Sequence, residues 1–380
     1  MFPFRGSRGA TVLLALAIVL SAPAVGTPPV NAAENSSMQV TFFPSVTSVS
    51  DNGEGLMVIQ GRVFTPAEGK HKGLVWFASR KFKVKTTDEP FHSRARLFFS
   101  DGHRDARVSI KLGGRIIELP PSDHSGFFSN TIALSAADVG LAKDGLISFE
   151  SLASRTGGQT ILGTAFIVPR DAIVVVTDVD DTIKDTRVLD RVLKERNTMV
   201  NEFKPVIGMP QAYRNWKATP GADVHFHVVS AGPWQLYEPL RQFTDVQKFP
   251  SFTWDMRSVD IGFDLKVAIS ELHLKPETIF EHKVKKIRAL LKMLPNQVVL
   301  VGDSGERDPE VYAEILKSCP ARVAAVFIRE LSNGTSRNYD RLFLSDSRVK
   351  LKRFQKAGDL PNALTPLKGG PSRQCGSSES

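Results

Sequence analysis

The run Ile173-Val-Val-Val-Thr177 leads straight into Asp178-Val-Asp180-Asp181-Thr182, and this junction restricts the fold more than any other stretch. Consecutive β-branched residues suit a strand buried on both faces, as in parallel sheets covered by helices. The carboxyl ends of strands in an open α/β sheet are where ligands bind. Carboxylates crowded at such an end repel one another and need a cation or shifted pKa values. An acidic turn or helix cap would give Asp and Thr an ordinary role. Asp-x-Asp-x-Thr placed directly after the strand favours the ligand site.

Three later apolar runs resemble this one: Val224–Val229, Gln297–Val301 and Val323–Ile328. Helical patterns lie between them at Val188–Val200, Gln211–Lys217, Trp234–Phe243, His282–Met293 and Asp308–Lys317. Alternating strands and helices predict an α/β domain with a doubly wound parallel sheet over residues 170–356. Residues 38–169 read differently. Short strands are expected at Met38–Phe43, Gly55–Phe64, Leu74–Phe77, Ala95–Phe99, Ala106–Leu112, Arg115–Leu119, Phe127–Leu134 and Leu146–Ser151. With turn signals at Asp51-Asn-Gly53, Ser100-Asp-Gly102 and Gly157-Gly158, they predict a β-sandwich-like domain. Residues 357–380, rich in Gly, Pro and Ser, are expected to be disordered.

The first 32 residues stand apart. Arg5 and Arg8 precede an apolar run from Ala10 to Leu20, and small residues follow up to Ala32. This is the layout of a secretory signal peptide, with an apolar run short of the ~20 residues that span a bilayer. It predicts export to a periplasm or the outside, with no later integral span. The net charge is +9, from 49 basic and 40 acidic residues. Such an excess suits anionic partners, either phosphorylated substrates or membrane surfaces. A charge run such as Arg80–Lys85 equally suits a solvated face. No zinc-finger, RNA-recognition or helix-turn-helix pattern is present, so nucleic acid is not an expected partner. Cys319 and Cys375 are too few for a disulfide scaffold or metal cluster, and their pairing is open.

Further chemistry-bearing residues sit at the other strand ends. Ser230 closes one strand ahead of Ala231-Gly-Pro-Trp234, where its hydroxyl and nearby N–H groups can meet an anion or cap a helix. Asp303 closes the next, in Gly302-Asp-Ser-Gly-Glu306-Arg-Asp308. Asp178 and Asp303 can share one hard cation, because Mg²⁺ takes oxygen ligands and often uses only one or two carboxylates. Glu306 and Asp308 can orient those ligands or cap the following helix. Lys283, Lys285 and Lys286 lie on one helical segment, and position alone does not choose the one that balances the carboxylates. His225 and His227 alternate along a strand and suit packing roles.

Asp-x-Asp-x-Thr, strand-Ser, Lys and Gly-Asp-x4-Asp, in that order, resemble the haloacid dehalogenase superfamily of phosphotransferases. Asp178 to Thr186, Val229 to Tyr237, His282-Lys283 with Ile287, and Gly302 to Tyr312 are similar to the actin-patch type of phosphatidate phosphatase. The resemblance covers about Pro169 to Arg329. It implies that Lys283 is the working lysine, that Mg²⁺ is the cofactor, and that phosphatidate or another phosphomonoester is hydrolysed through an aspartyl-phosphate. Chemistry and resemblance together make Asp178 the nucleophile and metal ligand, and Asp180 the acid and base, with its carbonyl on the metal. Asp303 is then the second carboxylate ligand, and Ser230 and Lys283 hold the phosphoryl oxygens. Asp181, Thr182 and Asp308 support the loop. A helical stretch from Arg187 and the segment Glu238 to Glu281 are candidates to cover the site. Phe249, Phe252 and Trp254 to Met256 suit either lipid contact or core packing. The competing readings are a phosphatase for soluble esters and an exported binding module on a degenerate scaffold.

Overall fold

The structure, a computed structural model, describes residues 38–67, 72–152, 160–262, 265–331, 338–343, 349–366 and 375. The signal-peptide reading of residues 1–32 lies outside them, as does the Gly157-Gly158 turn.

Among the described residues, nine strands precede the Ile173–Thr177 run: β1 Gln39–Phe43, β2 Ser45–Val49, β3 Gly55–Thr65, β4 Asp101–Gly102, β5 Ser109–Leu112, β6 Arg115–Glu118, β7 Phe127–Leu134, β8 Leu146–Ser151 and β9 Leu162–Ile167. They form one mixed sheet in the order β1-β3-β2-β9-β8-β5-β6, with β4 and β7 also paired to β3. Only the β2–β9 pairing is parallel among them. Alternate residues such as Met57, Ile59, Ile110, Ile147 and Ala165 close a core on one face. Ser100-Asp-Gly102 is not merely a turn, since Asp101 and Gly102 pair with the end of β3.

Two expected strands are helices. Leu74–Phe77 lies within α1 (Lys72–Phe82), and Ala95–Phe99 overlaps α2 (Phe91–Phe98). The reason is periodicity over a window longer than four residues. Leu74, Val75, Ala78 and Phe82 fall on one buried helical face, and Phe91, Ala95 and Phe98 on another. Both faces pack into the core of the second half of the chain, beside Met199 and Trp234.

A short helix α3 (Ala136–Val139) completes the first half. The second half contains β10 Ile173–Thr177, α4 Arg191–Met199, α5 Met209–Lys217, β11 Val224–Pro233, α6 Tyr237–Val246, β12 Phe252–Arg257, α7 Leu265–Ser270, α8 Pro276–Met293, β13 Gln297–Asp303, α9 Asp308–Ser318, β14 Val323–Arg329 and β15 Lys350–Phe354. All six strands pair in parallel, in the order β12-β11-β10-β13-β14-β15. The class is α/β. Along β10, Ile173 and Val175 feed one core while Val174 and Val176 feed the other, so helices cover both faces of the sheet. Full burial of each valine stabilises the sheet by roughly 1.5–3 kcal/mol.

The edge strands β12 and β15 escape a motif-based reading. Phe249, Phe252 and Trp254 are buried in the core, and Met256, buried as well, borders the cleft described below. The tail departs from expectation. Ala357, Leu360 and Leu364 are buried in the core beside α5, and Trp216 Nε1 donates to Pro361 O at 2.7 Å. Three apolar residues that dock on α5 outweigh a polar, turn-forming composition. Cys375 forms a disulfide with Cys319, which settles their pairing.

Candidate active site

The parallel register brings the carboxyl ends of β10, β11 and β13 side by side, with Thr177 opposite Val228 on one side and Val301 on the other. Asp178 follows β10 directly, and its N–H donates to Val301 O at 3.0 Å. Its carboxylate is buried. Lys283 of α8 donates from Nζ to Asp178 Oδ1 at 2.7 Å and to Asp308 Oδ1 at 2.5 Å. Lys285 is exposed and Lys286 pairs with Asp255 instead. Among the three lysines, Lys283 alone meets the carboxylates. Burial alone would lower its pKa, but Asp178 and Asp308 outweigh it and hold the ammonium well above the usual lysine range.

Asp178, Asp303 and Asp308 each offer an oxygen within 4.8 Å of the others. Three such buried groups can hold a metal ion. Burial first, with repulsion from Asp308 and Glu306, outweighs the Lys283 charge and pushes the carboxyls of Asp178 and Asp303 well above the usual range. Asp308 is already committed: Oδ1 takes Lys283, and Oδ2 accepts from Asp303 N at 3.2 Å. Asp303 Oδ1 accepts from Gly305 N at 2.6 Å, while its buried Oδ2 has no hydrogen-bond partner among the described residues. Asp178 Oδ2 has a long contact from Thr182 Oγ1, at 3.4 Å. A cation between Asp178 and Asp303 would satisfy both, since a buried carboxylate oxygen without a donor is costly. Gly302 makes this packing feasible: a Cβ there would lie 2.3 Å from Asp308 Oδ2.

Asp180 turns away from that trio. Its Oδ1 accepts from Lys184 Nζ at 2.8 Å and Thr186 Oγ1 at 2.6 Å. Burial works upward on this carboxyl, but the Lys184 charge and these two hydrogen bonds bring it down to about 2. Asp181 holds the loop, with φ at 55°. Its carboxylate accepts backbone N–H groups from Thr186 and Arg187 at 2.9 Å each and from Val188 at 2.6 Å. Asp is among the few residues that tolerate this left-handed conformation. Thr182 is buried beneath Asp178.

Ser230 lies near the end of β11, buried, with its Oγ accepting from Gly232 N at 3.0 Å. That leaves the hydroxyl hydrogen to donate elsewhere. His282 Nε2 donates to Ser230 O at 3.1 Å. Burial, with the Lys286 charge, pushes the His282 ring down to about 4, so it is neutral and carries its proton on Nε2. Trp234, just past the Gly-Pro turn, stacks on Phe43 with centroids 3.8 Å apart, which fixes this loop against β1.

Asp178, Asp180 and Ser230 line one cleft together with Lys184, Lys194 and Glu306; beyond them its walls include Phe203, Leu240 and Met256. It encloses about 620 Å³, part of it open to solvent. Lys184 and Thr186 went unnoticed in sequence reasoning. Their signal was a Lys four residues after Asp180, a spacing that means ion pairing only if the loop curls like a turn. Lys194 was equally unreadable, because its partner Glu306 is 112 residues away.

This sheet and site define an α/β domain with a buried cluster of carboxylates and one lysine at the carboxyl ends of its strands. Residues 173–330 match the family described as "Phosphatidate phosphatase APP1, catalytic domain". This part of the chain is thus similar to the catalytic domain of phosphatidate phosphatases of the APP1 type. Phosphatidate phosphatase APP1 of Saccharomyces cerevisiae is 31% identical over 168 residues, covering 43% of this chain and 27% of the relative. The uncharacterized protein C29B5.04c of Schizosaccharomyces pombe is 30% identical over 172 residues, covering 43% and 26%. The chain thus spans about a quarter of the length of these curated relatives.

Proposed function

We propose that the protein is a Mg²⁺-dependent phosphatase that hydrolyses phosphatidate through an aspartyl-phosphate, on a haloacid dehalogenase-like doubly wound fold. The buried Asp178–Lys283–Asp308 chain, with the unpartnered Asp303 Oδ2 beside it, carries the reading. Asp178 and Asp303, with the Asp180 carbonyl, would hold Mg²⁺. When bound, the ion supplies positive charge to the phosphoryl oxygens.

Asp178 attacks phosphorus, forming an aspartyl-phosphate as the bond to the leaving alcohol breaks. Lys283 and the Ser230 hydroxyl hold oxygens of the transferring group, where fixed donors in a water-poor site count most. Asp180 gives a proton to the leaving oxygen and then takes one from the water that cleaves the intermediate. In the free protein Asp180 is held ionised by Lys184 and Thr186. An incoming phosphate dianion raises its pKa and lets it carry that proton.

The apolar part of the cleft, with Phe203, Leu236, Leu240 and Met256, supports a lipid phosphomonoester over a small polar one. The test compares phosphate release from phosphatidate vesicles and from soluble phosphomonoesters, each with and without Mg²⁺. Mg²⁺-dependent release from vesicles is expected; release from soluble esters alone would refute the lipid reading. Tight trifluoroberyllate binding at Asp178 separates this enzyme from a pure binding module, which would show none. The Cys319–Cys375 disulfide, together with the signal-like first 32 residues, supports export to an oxidising compartment.

A further inference from the structure

Helix α1 has an outward face that the chemistry above leaves unused. Leu74, Val75, Ala78 and Phe82 point into the core, while Lys72, Trp76, Phe77, Arg80 and Lys81 are exposed. Trp76 and Phe77 are 51% and 55% exposed and meet edge to face, their centroids 4.9 Å apart. The Arg80 guanidinium lies 5.9 Å from the Trp76 ring centroid. From Lys72 to Thr87 the sequence carries Lys72, Arg80, Lys81, Lys83 and Lys85, and no acid. Apolar rings in the middle of a polar face, flanked along the helix by cations, form the pattern of a helix that lies in a bilayer interface.

This face is next to the catalytic cleft. Lys81 pairs with Glu195 of α4, and Arg196 of the same helix donates to Phe82 O at 3.0 Å. The neighbouring α4 residues Lys194 and Thr198 line the cleft. Helix α7 packs against α1, and Glu271 and Leu272 immediately after α7 line the cleft as well. On those two neighbours Val192 and Val267 are 65% and 39% exposed.

We propose that the α1 face, centred on Trp76 and Phe77, docks the protein on the surface of an anionic phospholipid bilayer and brings the cleft to its substrate. The proposal rests on the lipid reading of the site. Charge selects the occupant: Lys72, Arg80, Lys83 and Lys85 suit anionic headgroups, while the two rings suit the apolar boundary beneath them. No helix among the described residues is long and apolar enough to cross a membrane, so this contact is one of surface.

Trp76 reports the docking directly, since Trp216, Trp234 and Trp254 are buried. The full chain is titrated with vesicles of phosphatidylglycerol and phosphatidylcholine that contain no phosphatidate. Expected are a blue shift of Trp76 emission and quenching by brominated lipid, both weakened by high salt and absent with phosphatidylcholine alone. Trp76→Phe should lose the shift yet still sediment with anionic vesicles. The double variant Trp76→Ser with Phe77→Ser should hydrolyse vesicle-borne phosphatidate roughly tenfold more slowly and soluble phosphomonoesters at the parent rate. Unmoved Trp76 emission on anionic vesicles, or parental vesicle hydrolysis by the double variant, would overturn the proposal. A shift without hydrolysis of any phosphomonoester would uphold docking and refute the proposed enzyme.

Discussion

Lys283 and Asp178 are 105 residues apart in the chain, yet Nζ of one lies 2.7 Å from Oδ1 of the other, both side chains buried. The same ammonium reaches Asp308 at 2.5 Å. One buried cation therefore serves two carboxylates, and a third, on Asp303, has an oxygen with no donor among the described residues. The proposed Mg²⁺ would supply the second positive charge for this cluster.

Lys283→Met removes that cation and leaves buried carboxylates facing each other. Breaking such a pair costs about 3–5 kcal/mol. The variant is expected to unfold at lower denaturant concentration, to recover part of the loss in Mg²⁺, and to lose phosphate release by at least ~100-fold. Urea unfolding with and without Mg²⁺ checks the first part. A variant as stable as the parent without metal would show that Lys283 carries no such burden.

Gly302→Ala tests the packing behind the site. The new Cβ would meet Asp308 Oδ2 at 2.3 Å and Asp308 Cβ at 2.6 Å. Asp308 has no room to retreat, being fully buried and held by Lys283. Overpacking of this kind costs about 1–3 kcal/mol. A drop in unfolding midpoint together with slower phosphate release is expected; unchanged values for both would contradict the geometry.

Acid should weaken the fold through His225. Burial, aided by the nearby His227 and Lys217, lowers its pKa from 6.5 to about 3. The ring sits against Thr253 Oγ1, at 2.9 Å. The unfolded chain binds this proton near pH 6.5 and the folded chain only near 3, so stability is full above 6.5 and falls as pH drops through that window. One such proton costs about 1.4 kcal/mol per pH unit. His225→Gln should flatten the fall in unfolding free energy between pH 6.5 and pH 4. An unchanged slope in the variant would assign the acid sensitivity elsewhere.

The central strands were legible because burial on both faces leaves an unmixed apolar run, as in Ile173–Thr177 and Gln297–Val301. Strand ends then pointed to Asp178, Ser230 and Asp303. Helices α1 and α2 were misread because four-residue apolar windows suit strand and helix alike; only the spacing from Leu74 to Phe82 separates them. The choice among Lys283, Lys285 and Lys286 was closed to spacing, because long-range contacts decide it: one meets Asp178, one meets Asp255 and one meets solvent. Lys184, which holds Asp180, was hidden by a loop conformation that rests on the positive φ of Asp181.

The most direct measurement is phosphate release from phosphatidate by the full chain and by Asp178→Asn, each with and without Mg²⁺. The parent should release phosphate only with the ion. Asp178→Asn should remain folded and release none. Near-parental turnover by Asp178→Asn would contradict an aspartyl-phosphate on this residue.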